Sequence, residues 1–168
     1  RTAGLHSALE NFRGLRRRME LLGSNKNGAK IFSDYGHMAS SIALGYQALK
    51  ERFPKQKIKV IFQPHQINRV ILGRNNFIKS MKGYDEVTIY DIYAARENLQ
   101  ELIKKKKELK HIKTLKELGD TFAEACGGIY IDDPKKIIQK INEAKKGETV
   151  VIYSAGDIDF LVRKNFKI

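Results

Sequence analysis

From residue 29 to the C-terminus, apolar runs of strand length alternate with stretches whose apolar residues recur at helical spacing. No other feature constrains the fold as strongly. "AKIFSDY", "KIKVIFQ", "EVTIYDIY", "GGIYID" and "ETVVIYSA" read as strands. Between them, "ASSIALGYQALKERF" puts Ile42, Tyr46, Leu49 and Phe53 on one helical face, and a second helix carries Val70, Ile71, Phe77, Ile78 and Met81. Helical stretches follow around 99–110 and through Leu115, Leu118, Phe122 and Ala125. Pro134 sits where a helix bearing Ile137, Ile138 and Ile141 begins, a favoured place for proline, and "GDIDFLVRKNF" reads as a last helix. Strands separated by helices of this length predict an α/β fold, Rossmann-like, with a mostly parallel sheet of about six strands and helices on both faces. Upstream, "LHSALENF" reads as a helix. "RRMELLGSNKNGAKIFSDY" reads as two strands about an Asn-Gly turn, which adds one antiparallel edge strand. One domain, 1–168, is the expectation.

Composition narrows the classes. No apolar run approaches a membrane span and the N-terminus lacks the apolar core of a secretory signal, so no membrane partner is expected. The chain does not begin with Met, which reads as a fragment or a processed form. A single cysteine, Cys126, excludes an intramolecular disulfide framework and a Cys-rich zinc site, and a reducing cytoplasm is the default. The net charge of +13 invites a polyanionic partner. The densest basic run, "KKKKELKHIK", has lysines but neither the arginines nor the interleaved aromatics of specific nucleic-acid readers, so a solvated helix face is the better account.

In parallel sheets ligands bind beyond the carboxyl ends of the strands. Four such ends are polar here: Ser33–His37, Gln63–Arg69, Tyr93–Glu97 and Ser154–Asp157. There is no G-x-G-x-x-G, no G-x-x-x-x-G-K-[ST] and no G-x-S-x-G, so the chain carries no self-contained dinucleotide site, phosphate loop or serine nucleophile. His6, His37, His65 and His111 have no zinc-enzyme spacing. In "SDYGH", Asp34 can accept hydrogen bonds from sugar hydroxyls and Tyr35 offers a flat face for a base, although a helix N-cap and a packed core ring would explain them as well. In "RGLRRRME", strand alternation would send Arg17 and Arg18 to opposite faces, so at most one enters a cleft. In "FQPHQINR", His65 and Arg69 stand one helical turn apart. If a helix begins near Gln66, both can reach one crevice, where Arg69 would suit a carboxylate.

"ALENFRGLRRRMELLG", "SDYGH", "VIFQPHQINR", "DIYAARE" and "YSAGDI" together resemble, in order and spacing, the C-terminal domain of the Mur ligases. The likeness runs from about Ala8 to Ile158, and "FQPH" points to the branch that joins L-alanine to UDP-N-acetylmuramate. The resemblance implies a bacterial, cytoplasmic, ATP-dependent amide-bond former in peptidoglycan synthesis. There a muramyl carboxylate is activated as an acyl phosphate and then attacked by an amino acid. It also implies that the phosphate loop, the Mg2+ ligands and the UDP-sugar site belong to two preceding domains absent from this chain, against which this third domain would pack. By position it assigns Arg18, Asp34, Tyr35 and His37 to ATP, and His65 and Arg69 to the amino-acid carboxylate.

The sequence departs from the family pattern at several places. Ser33 stands for the first aspartate, Met38 for the second histidine, Ala39-Ser40-Ser41 for Pro-Thr-Glu, and Gln66 for the arginine after "FQPH". Losing that arginine could weaken alanine binding by about 1–3 kcal/mol, unless Arg96 rebuilds the clamp. A different amino acid, a degenerate non-catalytic homologue and a basic nucleic-acid-binding module are the alternatives.

Overall fold

The computed structural model describes residues 14–105 and 112–166 together with Ser7 and Asn11. In chain order the elements are β1 (Glu20–Ser24), β2 (Lys30–Asp34), α1 (Ala39–Arg52), β3 (Lys57–Gln63), α2 (Ile67–Met81) and β4 (Glu86–Tyr90). They continue with α3 (Leu99–Lys105), α4 (Leu115–Ala125), β5 (Ile129–Ile131), α5 (Pro134–Glu143), β6 (Glu148–Ser154) and α6 (Ile158–Phe166). The expected helix in "LHSALENF" and the rest of the lysine run fall largely outside the described residues.

One six-stranded sheet runs β1-β2-β6-β3-β4-β5. β1 is antiparallel to β2, and every other pair is parallel. The α/β class, the sheet and its single antiparallel edge strand are therefore as the sequence predicts. The hairpin turn is held by Asn25. Its Oδ1 accepts from the amides of Asn27 and Ala29, and its Nδ2 donates to the carbonyls of Ile141 and Ala144 at the end of α5.

Two apolar layers follow from strand alternation. Phe32, Ile58, Val60, Phe62, Val87, Ile89, Val151 and Tyr153 face α1, α2 and α4, where Ile42, Leu49, Val70, Phe77 and Phe122 close over them. Ile31, Ile61, Tyr90, Val150 and Ile152 face α5 and α6 through Ile137, Ile141, Ile158 and Val162. Since both faces are covered, β3 and β6 read as unbroken apolar runs rather than alternating ones. α4 starts on a capping box of Thr114 and Glu117, and α5 on Asp133 followed by Pro134.

Three boundaries differ from the sequence reading. β4 stops at Tyr90; the Asp91 amide still donates to the Ile131 carbonyl, and Tyr93 then bridges His65. β5 is three residues long. Arg17 and Arg18 precede β1 in a turn, since Arg17 and Met19 take positive φ values of 55° and 45° that no strand accommodates.

Candidate functional site

β1 enters the sheet at the carboxyl ends of the other strands, with Glu20 opposite Ser33. The turn through Arg17–Met19 therefore joins the ends of β2, β6, β3 and β4 along one rim.

At the end of β2, Asp34 is buried and its carboxylate holds the rim together. Oδ2 accepts from the amide of Met19 at 2.8 Å, and Oδ1 from that of Gly36 at 2.6 Å. Asp34 caps no helix, because α1 has Met38 at its N-cap and no side-chain cap. Gly36 admits no side chain, since a Cβ would run into Asp34, Ser41 and Tyr153. Tyr35 is 39% exposed and so is no core ring. Its amide donates to the Arg17 carbonyl at 2.7 Å, and its ring lies 4.8 Å from the Arg17 guanidinium and 5.7 Å from that of Arg18. Arg17 turns inward, donating to the Ser154 carbonyl and approaching Asp159 at 3.6 Å, whereas Arg18 is exposed. The sequence reading allowed at most one of the pair into a cleft; Arg17, not Arg18, is the one that turns inward, and a turn rather than strand alternation separates them.

The end of β3 is locked to the end of β6. Gln63 is buried; its Oε1 accepts from Ser154 Oγ and from the Ile158 amide, and its Nε2 donates to Asp157. A Cβ on Gly156 would strike that same amide, so "FQPH" and "YSAGDI" fit as a pair. Pro64 and His65 then cross toward Tyr93, whose amide donates to the Pro64 carbonyl while its own carbonyl accepts from the Gln66 amide. An apolar strand thus meets a proline and an imidazole without an ordinary turn because a neighbouring loop supplies the backbone partners. Gln66, with φ at 72°, starts α2 without a side-chain cap. Glu97 caps it from the adjacent loop, accepting from both the amide and the Nδ2 of Asn68.

The aromatic rings form a row. Tyr35 meets His37 edge-on at 5.6 Å, His37 lies 6.1 Å from His65, and His65 stacks on Tyr93 at 5.6 Å. Arg69 donates to Gln66 Oε1 at 3.0 Å. His65 is held below the ordinary histidine pKa, first by burial and then by the charges of Arg69 and His37, with Glu97 opposing. The structure thus brings Arg18, Tyr35, His37 and His65 to one rim, with Asp34 beneath it and Arg69 beside His65. Arg96 is exposed on the loop that carries Glu97 and makes no hydrogen bond among the described residues.

Two further features concentrate here. The four non-glycine residues with positive φ among those described, Arg17, Met19, Gln66 and Ala95, all lie in rim loops. Among the described residues the buried side-chain nitrogens without a hydrogen bond are Arg17 Nε, His65 Nδ1 and Arg69 Nη1, again all on the rim, Arg17 Nε lying 3.6 Å from Asp159. Backbone strain and unpaired donors are costs that persist at ligand sites. A cavity of about 460 Å³ between α2 and α4, lined by Val70, Ile71, Ile112, Leu118 and Phe122, shares no residue with the rim. Among the described residues no group of three His, Cys, Asp or Glu side chains could hold a metal ion, and no helix is long and apolar enough to cross a membrane.

Sequence reasoning missed the ionic layer beneath Tyr35, formed by Glu20, Arg17, Asp159 and Arg163. The i, i+4 spacing of Asp159 and Arg163 was a readable signal, but their meeting with Glu20 is a tertiary fact.

The family model described as "Mur ligase, glutamate ligase domain" matches residues 17–156. A UDP-N-acetylmuramate–L-alanine ligase from Caldicellulosiruptor bescii is 36% identical over 157 residues, covering 92% of this chain and 32% of the relative. One from Aquifex aeolicus is 28% identical over 155 residues, covering 92% and 31%. The crystal structure of a UDP-N-acetylmuramate–alanine ligase from Thermotoga maritima superposes with a TM-score of 0.63 at 25% identity, over 96% of this chain and 31% of that one. The chain therefore spans about a third of the length of the relatives it matches.

Proposed function

This chain belongs to the Mur ligase family, and from that premise we propose that it is the C-terminal domain of an ATP-dependent ligase that joins an amino acid, L-alanine in the first instance, to UDP-N-acetylmuramate. The reading takes residues 1–168 as one domain that packs against a UDP-binding and a central ATPase domain lying outside this chain. The observation that carries it is the concentration of strain, unpaired donors and aromatic rings on a single rim.

Two halves of that rim suit two ligands. On one side, Tyr35 offers a ring for a base and Arg18 an exposed guanidinium for phosphate oxygens, while Asp34 holds the loop and could accept from a ribose hydroxyl. His37 stands between Tyr35 and His65 at the junction. On the other side, His65 Nδ1 and Arg69 Nη1 are buried nitrogens without a hydrogen bond. An amino-acid carboxylate would supply an acceptor for Arg69 Nη1 and, with the imidazole protonated at Nδ1, for His65 as well. Gln66 engages Arg69 through Oε1, which leaves its amide nitrogen to replace the missing arginine as a neutral donor. Arg96, exposed on the loop that carries Glu97, is the candidate for restoring the second positive charge. ATP supplies the activating phosphoryl group. This chain's residues hold and orient, and no step is assigned to a metal bound here, because the described side chains lack the donor set for one.

Full-length protein should release phosphate from ATP only when both a UDP-muramyl acceptor and an amino acid are present. Arg18→Ala should raise the KM for ATP roughly tenfold, the size of one charge-assisted hydrogen bond, with little change in the KM for the amino acid. Arg18 is a cleaner probe than Asp34, whose loss would also release the amides of Met19 and Gly36. An unchanged KM for ATP in Arg18→Ala would count against the nucleotide half of the site.

A further inference from the structure

Asp159 lies on α6, outside the motifs that mark the family, and is 6% exposed. Its Oδ1 accepts from Ser33 Oγ at 2.6 Å, and its Oδ2 accepts from Arg163 Nε at 2.9 Å and sits 3.6 Å from Arg17 Nε. Arg163 directs its two terminal nitrogens at the carboxylate of Glu20, and Glu20 Oε2 in turn accepts from the backbone amide of Arg17 at 2.7 Å. Two guanidiniums and two carboxylates thus close a loop of contacts linking α6, β2, β1 and the turn before β1.

Arg17 is where this loop reaches the rim. Its amide is fixed by Glu20, and its guanidinium by Asp159 and the Ser154 carbonyl. Its backbone is held at a φ of 55°, which a non-glycine residue keeps only under constraint. The same guanidinium lies 4.8 Å from the Tyr35 ring centroid, and the Arg17 carbonyl receives the Tyr35 amide. Tyr35 therefore rests on Arg17 through both ring and backbone, and Arg17 rests on Asp159.

We infer that Asp159 is a positioning residue for the nucleotide half of the rim, acting through Arg17 to set the pose of Tyr35. The inference rests on the ligase reading for its ligand, but not for the coupling itself. A side chain that merely fastened α6 to the sheet would affect stability alone. One that sets Tyr35 affects the ligand that Tyr35 meets, and does so only while Arg17 is present.

The test is a double-mutant cycle in the full-length protein. Asp159→Asn keeps the shape and an acceptor for Ser33 but removes the charge facing Arg17. It should raise the KM for ATP about five- to tenfold with kcat within twofold. Arg17→Met should do the same, and the double variant should be no worse than the larger single change. Val162→Ala, which trims a fully buried contact of α6, supplies a control that lowers thermal stability without moving KM. A multiplicative double variant, an unchanged KM in Asp159→Asn, or an equal KM rise in Val162→Ala would overturn the inference. The 168-residue chain provides a readout that needs no nucleotide, the NMR resonances of the Tyr35 ring. These should move in Asp159→Asn and stay put in Val162→Ala. If they move while wild-type protein shows no use of ATP, the coupling stands and the ligase reading fails. If they do not move, the coupling fails whatever the protein does with ATP.

Discussion

His65 shows what one residue at this rim must reconcile. It is half-buried and stacked on Tyr93; burial first, then the charges of Arg69 and His37, disfavour the imidazolium, with Glu97 opposing. A histidine whose folded pKa lies below its unfolded value binds fewer protons when folded. Its neutral form is compatible with the fold above about pH 6.5, and stability is lost as the pH falls below that unfolded value toward the folded one. Denaturant unfolding followed between pH 7.5 and 5.5 should therefore show stability falling with pH, and His65→Gln should flatten that slope. An identical slope in the variant would mean that the imidazole is not held neutral. The sequence could nominate His65, because an imidazole at a strand end one turn before an arginine is a readable pattern. It could not reveal that Nδ1 would be left without a partner, since that depends on where Tyr93 arrives. Asp34 was legible as a polar group at the right strand end, with a helix N-cap as the alternative account of it. It fastens two loop amides rather than capping α1, because the turn through Met19 folds back over it.

At the scale of elements, β-α alternation was legible because buried strands and amphipathic helices write different periods into the chain. The failures cluster where a local pattern was overruled from a distance. "RRMELL" alternates like a strand, yet contacts from Glu20 and Asp34 to the amides of Arg17 and Met19 bend its first half into a turn. "EVTIYDIY" looks continuous, yet β4 ends at Tyr90 and Tyr93 serves the loop after β3 instead. The start of α2 is the counterpart. Gln66 provides no cap, and the free amide of Asn68 is met by Glu97, 29 residues away. Glu97→Ala should destabilise the fold by about 1 kcal/mol, as for a lost N-cap, and speed amide exchange in the first turn of α2. Because that turn carries Arg69, the KM for the amino acid should rise as well. Unaltered exchange at Ile67–Arg69 would show that Glu97 does not hold this helix end.

Over the whole molecule, two apolar layers cover the sheet. Among the described residues the strained non-glycine backbone and the buried nitrogens without a hydrogen bond gather along one edge of it. Ion pairs, by contrast, also form at the opposite strand ends, where Lys59 meets Glu86 and Glu148. The basic surplus does not distinguish that edge, because the rim mixes Arg17, Arg18, Arg69 and Arg96 with Glu20, Asp34, Glu97, Asp157 and Asp159. Net charge therefore says less about function here than the placement of a few residues. The proposed function requires this rim to meet a nucleotide and an amino acid supplied against domains outside the chain. Hydrogen–deuterium exchange of the full-length protein, with and without a non-hydrolysable ATP analogue and the UDP-muramyl acceptor, tests it most directly. New protection is expected in 17–19, 33–37 and 63–69, with α4 and α5 unchanged. Protection confined to α4 and the cavity beside it, or none in these three segments when ligands are bound, would contradict it.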